Sequence, residues 1–339
     1  MRFRSLLSAL FGCVLLASCG PVQDSRSGKE VDLHPPTIES VWSAAPGELR
    51  IRFDEEASLV PEKSRISPAL AVKAATGPAQ EIVMQVDEQS PGCEYTLEGE
   101  AHDASGNTAS FLATFYGFNP RVPRLVINEF ITQGTTDHPD MLEIRVLSAG
   151  DMGGVVLYQG TPGSFDDRLV FPSFAVRNGE FIIVHFKPSG DGTEINETSD
   201  KAASGGIDAC PAAFDFWVPG GRGLAGNNGV LSAYQRPGGN LIVGILYSNR
   251  ASTSDEKYCG FGSAAMLARA EELVRDKGWT ADGSRISPED AVNPAGSTST
   301  RSVCRSSDSA DTDSAADWHV VPMKKASWGQ VNSDEVYAP

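Results

Sequence analysis

The sequence predicts a mainly β protein made of two consecutive β-sandwich modules, the second enlarged by insertions that carry one or two short helices. Apolar residues recur at every second position in many short runs, which is the side-chain period of a half-buried strand. Turn-forming residues separate these runs, and the chain of 339 residues contains 34 Gly and 21 Pro. A chain of this length is expected to form about two domains.

Six short runs between residues 36 and 118 predict the first module. In Glu48–Phe53 the apolar residues occupy alternate positions, so one face of this strand is expected to be buried. Gly- and Pro-containing turns separate the runs. The predicted strands are Thr37–Trp42, Glu48–Phe53, Leu70–Ala74, Glu81–Val86, Glu94–Ala101 and Thr108–Tyr116.

The last hairpin of this module carries a recognisable pattern. The segment from Tyr95 to Thr108 includes the turn sequence His-Asp-Ala-Ser-Gly-Asn at residues 102–107, and it resembles the closing hairpin of bacterial immunoglobulin-like domains. The resemblance implies an immunoglobulin-like sandwich over residues 36–118.

Two prolines in Phe118–Pro123 mark a boundary, because proline disfavours both strand pairing and helix. Strand patterns then resume. They are predicted at Leu125–Ile131, Met141–Val146, Phe181–Phe186, Val230–Tyr234 and Leu241–Tyr247.

Three parts of this second module resemble the lamin-tail domain. They are the Ile127-Asn-Glu129 motif, the Leu142-Glu-Ile144 motif and the stretch from Arg301 to Asn332. The resemblance implies a second immunoglobulin-like sandwich, here over residues 124–332. The family core is shorter, so residues 187–219 and 250–296 are interpreted as insertions and as the place where a specific function would lie.

The second insertion contains a helix pattern from Ser263 to Lys277, which Gly278 is expected to end. A shorter helix is predicted to begin at Ser287–Asp290, where Ser and Asp fit a cap. The apolar face of the first helix consists of Met266, Leu267, Ala270, Leu273 and Val274.

The amino terminus has the profile of an export signal, because Arg2 and Arg4 precede an uncharged run that ends at Cys19. The sequence Leu16-Ala-Ser-Cys19 resembles the bacterial lipobox. It implies a signal peptide at residues 1–18, acylation of Cys19 with palmitate-like chains and a flexible tether at residues 19–35. An ordinary secretory peptide with an incidental cysteine is the alternative.

Four cysteines remain after Cys13 is removed and Cys19 acylated, namely Cys93, Cys210, Cys259 and Cys304. An exported protein can form disulfides. Sequence leaves three full pairings open. A Cys210–Cys259 bridge is preferred because both residues lie in irregular stretches, and isolated buried thiols are the alternative.

Two groups of acidic residues could either form a functional site or stabilise the fold. Asp311, Asp313 and Asp317 form an oxygen-rich loop that could hold calcium, although aspartate also favours turns by bonding its own backbone. Glu129 and Glu143 lie in strands and are interpreted as a structural hub rather than an acid/base pair, because alternation predicts that they need not converge. Arg301 or backbone amides are expected to compensate a buried Glu129.

The charge of the chain and one glycine-rich motif limit the classes of ligand that the protein is expected to bind. The net charge is −16, and removal of Arg2 and Arg4 would leave 26 basic residues against 44 acidic ones, or −18. Such acidity disfavours nucleic acid as a partner. The Gly-x-Gly-x-x-Gly pattern at 221–226 precedes a strand pattern, which argues against a dinucleotide site.

Without a catalytic motif, the sequence predicts a membrane-anchored envelope lipoprotein that acts as a non-catalytic binding or scaffolding module for a protein or glycan. It would lie in the bacterial cell envelope, facing the periplasm or the surface. The alternative is an envelope hydrolase or metal-dependent enzyme with its site in the insertions of the second module.

Overall fold

The computed structural model describes residues 32–339. This part of the chain is mainly β, with nineteen strands, one α-helix and four short 3-10 helices. It contains no helix long and apolar enough to cross a membrane. The predicted signal peptide, Cys19 and most of the predicted tether lie outside the described residues.

The first seven strands pair only with one another. Strand order in their sheet is β3-β6-β2-β5-β4, with β1 added to β2 and β7 added to β6. Alternate residues of β2, including Leu49, Ile51 and Phe53, are buried in a cluster that belongs to these strands alone. The strands are β1 (Ile38–Ala45), β2 (Glu48–Leu59), β3 (Arg65–Ser67), β4 (Val72–Ala75), β5 (Ala79–Val86), β6 (Glu94–His102) and β7 (Thr108–Tyr116).

The other twelve strands form a six-stranded sheet, a four-stranded sheet and a two-stranded ribbon. They are β8 (Leu125–Ile131), β9 (Met141–Val146), β10 (Gly150–Asp151), β11 (Val156–Thr161), β12 (Ser164–Val170), β13 (Ala175–Val176), β14 (Phe181–His185), β15 (Phe214–Trp217), β16 (Asn228–Tyr234), β17 (Leu241–Ser248), β18 (Val303–Arg305) and β19 (Trp318–Val320). The orders are β15-β14-β9-β8-β18-β19, β12-β11-β16-β17 and β10-β13.

One hydrophobic cluster takes side chains from both larger sheets. Ile127, Phe130 and Ile144 come from the six-stranded sheet, and Leu157 and Ile245 from the four-stranded sheet. All five are essentially inaccessible to solvent. Burial of this apolar surface is the main force that joins the two sheets.

Close backbone packing links the two parts of the chain. Asn119 donates its amide to the carbonyls of Asp151 (2.7 Å) and Gly153 (2.9 Å). Gly92 has a positive φ of 69°, and a Cβ there would lie 2.4 Å from the Gly154 nitrogen. A side chain at residue 92 is therefore excluded by both backbone conformation and space.

The one α-helix within residues 32–339, α1 (Ala264–Arg275), packs on the four-stranded sheet. Ser263 caps it by accepting a hydrogen bond from Met266 N–H at 3.2 Å. The helix ends at Arg275, with Asp276 as its C-cap, and Lys277 adopts the left-handed conformation expected of Gly278. Gly278 is needed for a different reason: a Cβ at this position would lie 2.3 Å from Leu241 Cδ2 and would clash with it. The shorter predicted helix is a single 3-10 turn, Pro288–Asp290, with a capping box.

Two sequence expectations change. The stretch 187–219 is not wholly an insertion, because its β15 pairs in parallel with β14 and forms the edge of the six-stranded sheet. Strands β11 and β12 are absent from the sequence prediction, and they form half of the four-stranded sheet.

Candidate functional site

A β-bulge brings two glutamates together in the six-stranded sheet. Ile127 pairs with Ile144 and Glu129 pairs with Glu143, so Asn128 is the extra residue of β8. The bulge breaks the alternation that placed Glu129 on the same face as Ile127. Glu129 and Glu143 are therefore direct cross-strand neighbours, and the prediction that they need not converge is wrong.

Glu129 is fully buried and accepts hydrogen bonds from two serines. Its Oε1 accepts from the hydroxyl of Ser302 and, at 3.0 Å, from the backbone N–H of Ser327. Its Oε2 accepts from the Ser327 hydroxyl at 2.8 Å. These donors come from segments remote in sequence, and they hold the carboxyl group without a cation in contact.

Glu143 is buried beside it and binds the carboxy-terminal segment. It accepts from Asn128 Nδ2 at 2.7 Å and from the backbone N–H of Gly329 at 2.6 Å. Asn128 Nδ2 also donates to Asn332 Oδ1, and Asn332 Nδ2 returns a bond to the Asn128 carbonyl. Together Glu129, Glu143, Asn128, Ser327 and Asn332 form a buried network, here called the acidic hub.

Burial sets the protonation of the acidic hub. It raises the pKa of Glu129 above the ordinary value, against the opposing effect of the serine hydrogen bonds. Burial and then the charge of Glu129 raise the pKa of Glu143 well above the ordinary value. Two neighbouring buried carboxyls are expected to share a proton because a second negative charge there is costly.

Arg301 is not the partner of Glu129. Its guanidinium lies over the ring of Tyr337, 4.2 Å from the ring centre. The Glu129 carboxyl group is instead stabilised by hydrogen bonds from the Ser302 and Ser327 hydroxyls and the Ser327 backbone N–H. The buried arginine of this region is Arg305, whose Nε donates to the Ile127 carbonyl at 2.7 Å.

Two of the three aspartates proposed for calcium pair with Arg305. Its Nη2 lies 2.8 Å from Asp311 Oδ1, and its Nη1 lies 3.0 Å from Asp317 Oδ2. Asp317 also accepts from the N–H and hydroxyl of Thr312. Asp313 does not contact Arg305, and burial followed by the charge of Asp311 raises its pKa. The carboxylate oxygens of Asp311 and Asp317, which a calcium ion would need as ligands, thus already bind Arg305 and Thr312. This arrangement favours a structural role for the aspartates over calcium binding.

The predicted Cys210–Cys259 bridge is not formed. All four cysteines within residues 32–339 are free thiols. Cys210 packs beside Trp328, and Cys259 packs against the main core. Cys304 is buried next to His319, with 3.7 Å between Sγ and Nε2. Burial and the charges of Glu129 and Glu143 raise the pKa of Cys304, which opposes formation of a reactive thiolate.

An open groove of about 670 Å³ lies between the glycine-rich loop and the β11–β12 hairpin. A smaller recess of about 390 Å³ adjoins it at the start of α1, and the two share Asp166 and Ala225. We call the larger one the hairpin groove. It is lined by Gln159, Phe165, Asp166, Asp167, Gly220, Arg222, Gly223, Leu224 and Ala225.

A second bulge shapes the hairpin groove. Gln159 pairs with Asp167 and Gly160 with Phe165, so Asp166 is the extra residue of β12. Asp166 turns to α1 and makes a bidentate pair with Arg269, with both N–O distances 2.8 Å. Gln159 and Asp167 stay side by side at the groove, and neither was singled out from the sequence.

A family model matches residues 123–320, more than half of the chain, under the name TP_1001_2nd and the description "protein second domain". The chain belongs to this family. The chain is also similar to an uncharacterized protein of Treponema pallidum (strain Nichols), which is 26% identical over 193 residues, or 55% of this chain and 48% of that protein. The chain thus spans about half the length of the curated relative it matches.

The TP_1001_2nd domain contains both the acidic hub and the hairpin groove, apart from the carboxy-terminal residues of the hub. Sequence singled out Glu129 and Glu143 but missed Asn128, Arg305 and Asn332. The Asn128 bulge has no local signature, and Arg305 lies in a strand of three residues that is too short to show a period. Only the paired strands reveal these roles.

We expect Glu129→Ala to lower the free energy of unfolding of the TP_1001_2nd domain by roughly 2–4 kcal/mol, because Ser302 and Ser327 would lose their acceptor inside the protein. Thermal and denaturant unfolding would measure this. Glu129→Gln keeps the size and one acceptor, so it should cost less. Unchanged unfolding of the alanine variant would contradict the structural role of the hub.

Glu143→Gln should flatten the dependence of stability on pH. Both hub carboxyls have a folded pKa above the ordinary 4.5, so their stabilisation is complete below about pH 4.5 and is lost as pH rises through the folded pKa. The glutamine cannot lose a proton, and the variant should gain stability relative to wild type as the pH rises above about 5.

Denaturant unfolding at several pH values would test this prediction. The exposed Glu256→Gln is the matched control and should keep the wild-type slope. Equal slopes for wild type and Glu143→Gln would show that the hub does not take up a proton on folding.

Proposed function

We propose that this protein is a bacterial envelope lipoprotein, anchored through Cys19, that uses its TP_1001_2nd domain as a non-catalytic binding module for a glycan or protein. The observation that carries the proposal is the hairpin groove, an open site of about 670 Å³ lined by polar groups, of which the buried Gln159 Oε1 lacks a hydrogen-bond partner among the described residues. Ligand sites in proteins are typically concave and contain a few well-placed polar groups.

The arrangement of strands supports a more specific fold for the TP_1001_2nd domain, namely a β-sandwich. A shared core between the six-stranded and four-stranded sheets is the layer pattern of a sandwich. The Ile127-Asn-Glu129 and Leu142-Glu-Ile144 motifs lie in paired strands, β8 and β9. We therefore propose that the domain is an immunoglobulin-like sandwich related to lamin-tail domains, and that the first seven strands form a spacer of similar type.

Burial of the acidic hub favours binding over hydrolysis. Glu129 and Glu143 are the closest approach to an acid/base pair in the TP_1001_2nd domain, but neither has an exposed surface. Their hydrogen bonds are directed to Ser302, Ser327 and Gly329, within the protein itself. A substrate would need to displace the carboxy-terminal segment to reach them.

Anchoring through Cys19 can be tested in cells. Cys19→Ala should abolish incorporation of a palmitate analogue and release the protein from the membrane fraction, because the acyl chains supply the hydrophobic attachment. Cys13→Ala is the matched control, since that cysteine would be removed with the signal peptide. Retained labelling and membrane association of Cys19→Ala would contradict the lipoprotein proposal.

Binding by the domain can be tested with a photo-crosslinking amino acid placed in intact cells. At Phe165, which is 40% exposed beside the groove, it should capture an envelope component. At Leu112, 72% exposed in the first seven strands, it should not capture the same component. A glycan or a protein specific to residue 165 would support the proposal, and capture of nothing, or the same products from both positions, would contradict it.

A further inference from the structure

We propose that the hairpin groove binds a neutral saccharide, with Gln159 and Asp167 accepting hydrogen bonds from two adjacent sugar hydroxyls. This inference rests on the proposed binding function and names its ligand class. Two side-chain observations, the balance of charge in the groove and one feature of the loop carry it.

Gln159 presents a buried acceptor that nothing in the described structure satisfies. The residue is only 7% exposed, and its Nε2 donates to the Gly223 carbonyl at 3.2 Å. Its Oε1 has no hydrogen-bond partner among the described residues, although the side chain lines the groove. An unsatisfied buried acceptor costs about 1–3 kcal/mol, so a ligand that donates a hydrogen bond here would recover part of that cost.

Asp167 places a second acceptor directly across the hairpin from Gln159. Its carboxylate is half-buried, and no hydrogen bond or ion pair holds it within residues 32–339. Its neighbour Asp166 is already committed to Arg269. Burial and the charge of Asp166 raise the pKa of Asp167. An amide oxygen and a carboxylate side by side match a ligand with two neighbouring donors, as a vicinal diol provides.

Phe165 belongs to the opposite face of the hairpin from these two acceptors. It pairs with Gly160, the neighbour of Gln159, and its ring packs on Tyr158 with 5.1 Å between ring centres and lies under the guanidinium of Arg168. The contacts that the groove offers a ligand are therefore polar ones, from Gln159 and Asp167.

The charges of the groove favour a neutral ligand. Asp166 is neutralised by Arg269, and the remaining Asp167 faces the single cation Arg222 among the residues that line the groove. This balance offers no cluster of cations for a phosphate and no surplus of carboxylates for a polycation. Arg222 can instead donate to a ring or hydroxyl oxygen.

The loop that closes the groove is already fixed. Asp140 accepts from Leu224 N–H at 2.8 Å and from Gly134 N–H at 2.7 Å. Gly223 adopts a φ of 94°, and a Cβ there would lie 2.6 Å from Asp140 Oδ2. The glycine is therefore needed for the loop to reach Asp140, and a preorganised loop lowers the entropic cost of binding.

The test uses the full-length protein in detergent on a printed array of neutral oligosaccharides that includes maltotetraose, chitotetraose and mannotetraose, followed by calorimetric titration of each bound sugar. Wild type should bind at least one of these sugars. Asp167→Ala and Gln159→Leu should each weaken that binding roughly tenfold or more, because each removes a hydrogen-bond acceptor from the groove.

Two exposed positions outside the groove give matched controls. Asp137→Ala and Leu112→Ala should leave affinity unchanged. Melting temperatures would show that each variant is folded, and Asp167→Ala decides the question if Gln159→Leu is not. Equal affinity of wild type and Asp167→Ala would overturn the groove as the site.

The array and the crosslinking experiment together separate the two proposals. If no neutral sugar binds and residue 165 captures a protein in cells, the saccharide inference is overturned and the binding function stands. If no sugar binds and nothing is captured, both are overturned.

Discussion

The pairing of Glu129 with Glu143 across the β8 bulge is the interaction on which the carboxy-terminal part of the structure depends. Two carboxyl groups in adjacent strands would repel if both were charged and buried. Here they are surrounded by serine hydroxyls, backbone N–H groups and the paired amides of Asn128 and Asn332. The carboxy-terminal segment supplies several of these donors, so the same contacts that satisfy the carboxyls hold that segment on the sheet.

Arg305 extends this polar layer on the same sheet. It reaches the Ile127 carbonyl beside the bulge, while its other end binds Asp311 and Asp317. A buried guanidinium is tolerated only when its donors find acceptors. The aspartate-rich loop is therefore best understood as the counter-charge of Arg305, and its composition resembles a calcium site because both cations require carboxylate oxygens.

A bulge also accounts for the hairpin groove. The extra residue in β12 sends Asp166 to the helix and leaves Asp167 beside Gln159. The two bulges thus have opposite consequences. In β8 the redirected polar groups are buried and satisfied by the protein, whereas in β12 two acceptors stay without protein partners at an open surface. This difference is why we propose a stabilising role for the first site and ligand binding for the second.

Sequence alone determined the mainly β character, nearly all strands of the first module, the helix after Ser263 and the presence of polar residues within strands. These features depend on local periodicity, turn residues and caps, which a short window of sequence contains. It also gave the Cys19 motif, which is a linear signal. It did not determine which residues meet. Whether Glu129 faces Glu143, whether Arg301 or Arg305 is buried, and whether Gln159 lies beside Asp167 depend on bulges and strand register, and these are decided by packing between segments far apart in the chain.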